Sequence, residues 1–342
     1  MSLTTREKMI LGEIVENFIA SATPVSSNLI ANKRKLNMSP ATIRSVMSSL
    51  EQKGYIYQPH TSAGRVPKTL GYRTYVDDLM KKTRLSNDEK GQICEPVQQL
   101  SSEFDEILKE ITRILAHLSR QLGIILTPTL EQGIFQRMEL ISLSSNTILV
   151  VLTIESGLLK TVTVEIDSMI SGKKLQLISQ LLNERLGGMR IADIRSQFAT
   201  IVKDIRSDDN SGLMQLFSQK AERLFDFGTQ IDMHFMGTHY ILQKADFTNR
   251  EALSSVMELV ENRKIIVHLM NEETQLSPLS VKIGEEIPEQ RMQAFSMITA
   301  SYRYGNVNGV LGVIGPTRMD YSKLVSLVEF TAHTLTEVYG RN

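Results

Sequence analysis

Apolar positions near the N-terminus recur with helical spacing, break, and recur again. Thr5 to Ala22 carries Met9, Ile10, Ile14, Phe18 and Ile19 on one side, which predicts an amphipathic helix. Thr23-Pro24 ends it, because proline cannot continue the hydrogen-bond ladder and biases its predecessor toward extended geometry. Ser26 or Ser27 then caps a short second helix with Leu29 and Ile30 inside. Lys33-Arg34-Lys35 forms a basic turn, after which Ser39 supplies an N-cap and Pro40 the first helical position. Ile43, Val46, Met47 and Leu50 fall at i, i+3, i+4 and i+7 of this third helix. Its other face carries Ala41, Thr42, Arg44, Ser45 and Ser48, small or polar groups that let a helix approach base edges in a groove. Two short strands joined at Ser62-Ala63-Gly64 follow, with Arg65 beside the glycine. The order helix, helix, turn, helix, hairpin is that of a winged helix-turn-helix whose third helix reads DNA.

Beyond a polar linker, Thr83 to Asn87, the pattern predicts a long helix from Val97 to about Leu122. Val97, Leu100, Phe104, Ile107, Ile111, Ile114 and Leu118 alternate by three and four. That spacing serves either a coiled-coil seam or an amphipathic helix packed on its own domain. Gln136–Ser142, Thr147–Ile154 and Leu159–Ile166 are strand-like and separated by hairpin signals. Helices are expected at about 173–187, 191–206, 212–226 and 248–261. Strands return at Ile265–Met270, Leu279–Ile283, Phe295–Tyr302 and Val307–Ile314, and a last helix spans about 321–339. Strands, then helices, then strands predict an α+β sheet domain with a helical insertion. At 342 residues, two or three domains are the natural number.

Charge changes the picture. The chain is neutral overall, with 38 Lys and Arg against 38 Asp and Glu. Residues 1–85, however, hold thirteen cations and six anions, a net of +7, which leaves −7 for the rest. A basic head on an acidic body is the footprint of a DNA-binding domain joined to a different module. In that reading Thr42 and Ser45 read base edges, and Arg44 reads a guanine or grips a phosphate. Ser39 presents its cap and nearby backbone N–H groups to phosphate. His60 and Arg65 on the hairpin reach backbone or minor groove. Lys33, Arg34, Lys35, Lys68 and Arg73 are phosphate contacts that add affinity more than specificity. A dimer would place two such helices in successive major grooves of an inverted repeat, since two-fold protein symmetry demands two-fold operator symmetry.

Other chemistry finds little support. Gly309, Gly312 and Gly315 lack the G-x-G start of a dinucleotide loop and lie in a strand-like run, so a twisted or bulged strand is expected. His234 and His239 are five apart, not the four of a helical metal pair. No nucleophile elbow, phosphate loop or catalytic dyad is present by spacing, so no enzyme and no cofactor is expected. The single Cys94 and the absence of a signal peptide or an apolar span predict a cytoplasmic protein.

The run QPHTSAGRVPKTLGYRTYVDDL, Gln58 to Leu79, resembles the heat-inducible transcription repressor family, HrcA. So do TTREKMILGEIVENFI, TPVSSNLI and SPATIRSVMSSLE, and near the C-terminus GPTRMDY, Gly315 to Tyr321. Ser45 departs from this pattern, standing where asparagine is expected. The resemblance implies a homodimeric repressor of chaperone operons, a stress-response regulator whose activity depends on the chaperonin GroEL. It also implies three domains: a winged helix-turn-helix over 1–85, a GAF-like sheet domain over 88–169 and 243–342, and a helical inserted dimerising domain over 170–242. Two rivals remain at this stage. One is a metabolite-responsive regulator with a ligand in the sheet domain; the other is an adaptor whose winged helix binds protein.

Overall fold

The structure is a computed structural model. It describes residues 3–32, 38–60, 63–98, 104–128, 133–155, 157, 159–166, 169–203, 212–226, 233–274 and 278–340. The basic turn Lys33-Arg34-Lys35 and the wing tip at 61–62 lie outside the described residues. The chain forms two compact units. The first comprises Met1–Ile125, His234–Ala300 and Leu311–Ala332; the second comprises Leu126–Met233, Ser301–Val310 and His333–Asn342.

The head of the first unit follows the expected order. Helices α1 (Thr5–Ser21), α2 (Ser27–Ala31) and α3 (Pro40–Gln52) precede β1 (Ile56–Tyr57) and β2 (Val66–Pro67). The two strands pair antiparallel, Ile56 opposite Pro67 and Tyr57 opposite Val66. Ile10, Leu11, Ile14 and Val15 of α1, Ile30 of α2 and Ile43, Met47 and Leu50 of α3 form the head's core, all buried. Met9 is exposed, so the apolar stripe of α1 is rotated toward Leu11 and Val15 from the side expected. Helix α4 (Thr69–Thr74) continues into a π-helical turn, Tyr75–Leu79.

Helices α5 (Asn87–Gln98) and α6 (Phe104–Ser119) follow, and then β3 (Leu122–Leu126). The expected helix to Leu122 therefore runs too far. Arg120 adopts a left-handed φ of 53°, and Leu122 opens a strand that is buried throughout. Ile107, Leu108, Ile111, Thr112, Ile114, Leu115 and Ala116 of α6 are buried. That stripe is wider than a two-position seam, as a helix packed on its own domain requires.

A five-stranded sheet has the order β7-β3-β10-β9-β8, where β7 is Met233–Met236, β8 Leu279–Ile283, β9 Phe295–Tyr304 and β10 Val307–Pro316. Strand β8 runs antiparallel to β9. The glycines of β10 are there for close approach, as expected of a strand and not of a nucleotide loop. A Cβ on Gly312 would lie 2.3 Å from the Ile298 carbonyl oxygen, and one on Gly315 2.3 Å from Gln121 Oε1.

Between β7 and β8 lie α10 (Thr238–Leu242), α11 (Arg250–Glu261) and α12 (Arg263–Thr274), and α13 (Tyr321–Tyr339) follows β10. The strand expected at Ile265–Met270 is instead part of α12. Its buried residues, Ile266, Leu269 and Met270, fall at i, i+3 and i+4, and this tertiary pattern overrides the β-branched run Ile265-Ile266-Val267.

In the second unit β4 (Phe135–Ser144), β5 (Thr147–Ile154) and β6 (Leu159–Glu165) form an antiparallel sheet in sequence order. Helices α7 (Gly172–Leu186), α8 (Ile191–Ile201) and α9 (Leu213–Leu224) share its core. Met138, Val150 and Leu152 from the sheet are buried in one cluster with Leu182, Phe198 and Phe217 from the helices. Asn183 of α7 serves the edge strand: its Oδ1 accepts the Met138 N–H at 2.6 Å and its Nδ2 donates to the Met138 carbonyl at 3.0 Å. A division at 169/170 would cut through this core. The three strands belong with the helices that follow, because one face of the sheet is apolar and those helices cover it.

Candidate nucleic-acid interface

Helix α3 forms because its start is capped and one face is buried. Ser39 has extended geometry, and its Oγ accepts the Thr42 N–H at 3.2 Å. The same oxygen lies 2.9 Å from Thr42 Oγ1, so the two hydroxyls share a hydrogen bond. Ile43, Met47 and Leu50 point inward, while Ala41, Thr42, Arg44, Ser45 and Ser48 are exposed on the opposite face. The structure thus brings Ser39, Thr42, Arg44 and Ser45 together on one outward surface.

The wing stands beside this surface. Val25 and Arg65 exchange backbone hydrogen bonds of 2.9 and 2.8 Å, which adds the segment before α2 to the hairpin. Gly64 permits this approach: a Cβ there would sit 2.4 Å from the Val25 carbonyl carbon. Gln58 Nε2 donates to the Ala63 carbonyl at 2.9 Å and closes the base of the tip. His60 is exposed beside the tip, and Lys68 is exposed at the start of α4. A cleft of about 430 Å³ lies among Ser26, Asn28, Arg44, Gln58, Gly64 and Arg65.

Two of the expected DNA contacts are otherwise engaged. Arg65 pairs with Glu51 at 2.9 Å, and its side chain is only 14% exposed, so it braces the wing against α3. Arg73 lies away from α3, on α4. Its Nε donates to Glu286 Oε1 at 2.8 Å, and its two Nη groups reach Glu286 Oε2, the Val281 carbonyl and Asp77. Hydrogen bonding to Glu286 raises its pKa further above the usual guanidinium value. A guanidinium committed to those acceptors has no fork left for a phosphate. Positive charge at these two positions reflects internal pairing, which charge counting alone does not distinguish from a DNA-facing patch.

Glu7 is a residue that sequence reading passed over. It closes a capping box with Thr4, accepting the Thr4 N–H at 2.9 Å while Thr4 Oγ1 accepts its N–H at 3.3 Å. Its other oxygen accepts from Lys53 Nζ at 2.6 Å and Ser49 Oγ at 2.8 Å, both at the end of α3. One buried carboxylate therefore ties the start of α1 to the reading helix. The signal was Thr4-x-x-Glu7 ahead of an apolar run. Hydrogen bonds from Lys53, Thr4 and Ser49 hold the Glu7 carboxyl at about 2. A depressed carboxylate stabilises the folded state fully above its ordinary value of 4.5 and loses that contribution as pH falls toward 2. Denaturation of the head in this window should show a falling midpoint in the native chain and a flatter profile in Glu7→Gln. Parallel profiles would contradict this role.

Among the described residues no group of three or more His, Cys, Asp or Glu is placed to hold a metal. His234 instead lies 2.8 Å from Asp105. No described helix is long and apolar enough to cross a membrane.

The HrcA protein C terminal domain family matches residues 105–325. The heat-inducible transcription repressor HrcA of Prosthecochloris aestuarii is 34% identical, over 99% of this chain and 98% of that protein. Its counterpart in Pelotomaculum thermopropionicum is 32% identical, over 100% and 98%. A solved structure described as a hypothetical protein at 2.2 Å resolution covers 98% of both chains with a TM-score of 0.61 and 23% identity, a likeness of fold. Together with the capped helix and its wing, these matches show that the chain belongs to the HrcA family of heat-inducible transcription repressors.

Proposed function

We propose that the protein represses heat-shock chaperone operons by binding an inverted-repeat operator as a homodimer, with one α3 in each of two successive major grooves. The observation that carries this reading is the division of α3. Its apolar face is buried in the head, and its capped, small and polar face with Arg44 is open. Thr42 and Ser45 read bases, Arg44 reads a guanine or holds a phosphate, and Ser39 presents backbone N–H groups to phosphate. His60 and Lys68 add phosphate contacts, as do Lys33, Arg34 and Lys35 of the basic turn. Membership in a repressor family makes the protein a regulator and not an enzyme.

Selection of bound DNA from a random pool tests this reading. A two-fold symmetric motif is expected, with half-sites one or more helical turns apart. An asymmetric motif or no enrichment would overturn it. Arg44→Ala is expected to relax base preference or lower affinity by about 1–3 kcal/mol. Lys68→Ala is expected to weaken all sequences alike and to reduce the salt slope by about one. Loss confined to one base position would remove Lys68 from that role.

The three-stranded sheet and its helices are the proposed dimerising element. In support, Ile141 and Leu143 on β4 and Leu159 on β6 are exposed. The chaperonin GroEL is proposed to maintain the DNA-competent form in the cytoplasm. If so, chaperonin restores operator binding to heat-treated protein; no restoration of a refolded dimer argues against it.

A further inference from the structure

Two of the most distinctive strings of this chain, Gly71-Tyr72-Arg73 and Gly315–Tyr321, contribute no residue to the outward face of α3. They meet elsewhere in the first unit. Tyr72 and Tyr321 are buried with ring centroids 5.9 Å apart. Arg73 carries α4 onto β8 and the turn Gly284–Glu286 that follows it, through Glu286 and the Val281 carbonyl. The Glu286 carboxylate is itself aimed, because Oε2 accepts the Ile283 N–H at 2.9 Å.

Arg318 forms a second attachment. It makes a forked pair with Asp246, at 3.1 and 2.8 Å, and its remaining Nη donates to the Ile19 carbonyl at 2.8 Å. That carbonyl is in the last turn of α1, where helix carbonyls lack internal partners and favour a cation. The head is therefore held to the rest of the first unit at α4 by the Arg73 fork on Glu286, and at α1 by a single hydrogen bond from Arg318, whose own fork on Asp246 fixes its orientation.

We infer that Arg73 and Arg318 are positioning residues: they set the direction in which the head presents α3, and so the separation of two heads on an operator. The inference rests on the dimeric reading above. Neither arginine touches the reading face, so loosening either fork leaves a single head's contacts intact. It spreads the orientations of the second head, lowering its effective concentration at the second half-site.

The test measures affinity for two DNAs, one carrying a single half-site and one the full inverted repeat. It uses the full-length native chain, Glu286→Gln and Arg318→Lys. Both substitutions nearly preserve size, and half-site binding itself reports a folded head. The native chain is expected to bind the full site far more tightly than the half-site. Each variant is expected to keep half-site affinity within about twofold and to lose about tenfold or more on the full site. An equal loss on both DNAs, or no loss on either, would overturn the positioning role. A native chain that gains nothing from the second half-site would instead overturn the dimeric reading and this role with it.

Discussion

Gly64→Val is expected to open the base of the wing and abolish operator binding while leaving the second unit folded. A Cβ at this position meets the Val25 carbonyl carbon at 2.4 Å, its oxygen at 2.5 Å and the Pro24 carbonyl carbon at 2.7 Å. All three are backbone atoms, so no change of rotamer relieves the clash. The Val25–Arg65 bridge must separate, losing two backbone hydrogen bonds worth about 1 kcal/mol each. Val25, now buried, would be uncovered, and Arg65 would lose its alignment with Glu51. Together with overpacking, the expected loss is on the order of 3 kcal/mol for the head. Amide hydrogen exchange at Val25 and Arg65 measures it directly. Native-like protection of both amides, with native affinity for operator DNA, would show that the close approach does not matter.

Phe198→Ala is expected to produce the largest loss in the second unit, about 3–5 kcal/mol. The Phe198 ring is buried and lies 5.2 Å from that of Phe225 at an interplanar angle of 41°. Truncation removes the burial of a whole ring and an aromatic pair worth about 0.5–1.5 kcal/mol beyond its area. It also leaves a void in a core where sheet and helices share one cluster. Denaturant titration should show the second unit unfolding at lower midpoint, while binding to a DNA with one half-site is unchanged. A loss under about 1 kcal/mol would mean that this core collapses around the void.

The head was legible because its determinants are local. Ser39 and Pro40, the spacing of Ile43, Met47 and Leu50, and the Pro24 break each act within a few residues, and the elements stand where they were expected. Strands Thr147–Ile154 and Leu279–Ile283 and the helix Tyr321–Tyr339 match their expected limits, since turn signals or prolines border apolar runs of one period. The misreadings have physical causes. The end of α6 is hidden because a non-glycine residue, Arg120, makes the left-handed turn, and the apolar run then continues into β3. The run at Ile265 looked extended because β-branched residues favour strands, whereas burial every third and fourth residue makes it a helix.

The charged residues show a different limit. The sign of Arg73 and Arg65 was plain, but Glu286 lies 213 residues from Arg73 in the chain, and only the fold reveals that pairing. The grouping of β4, β5 and β6 with α7, α8 and α9 is likewise a matter of which apolar faces meet. Sequence order alone placed those strands with the wrong sheet.

The two arginine forks also bear on how this protein can be recombined. A reading head exchanged between relatives at the linker near residue 86 would carry Arg73 but leave behind Val281 and Glu286. It would bring a new end of α1 to an Arg318 shaped for the old one. Thr83 would lose Ser322, to which it is joined by a backbone bond of 3.1 Å and a hydroxyl contact of 2.7 Å. A functional chimera therefore needs a discontinuous graft, in which 281–286 and 315–322 travel with the head. The unit of exchange is defined by contacts in space, although the head is continuous in sequence.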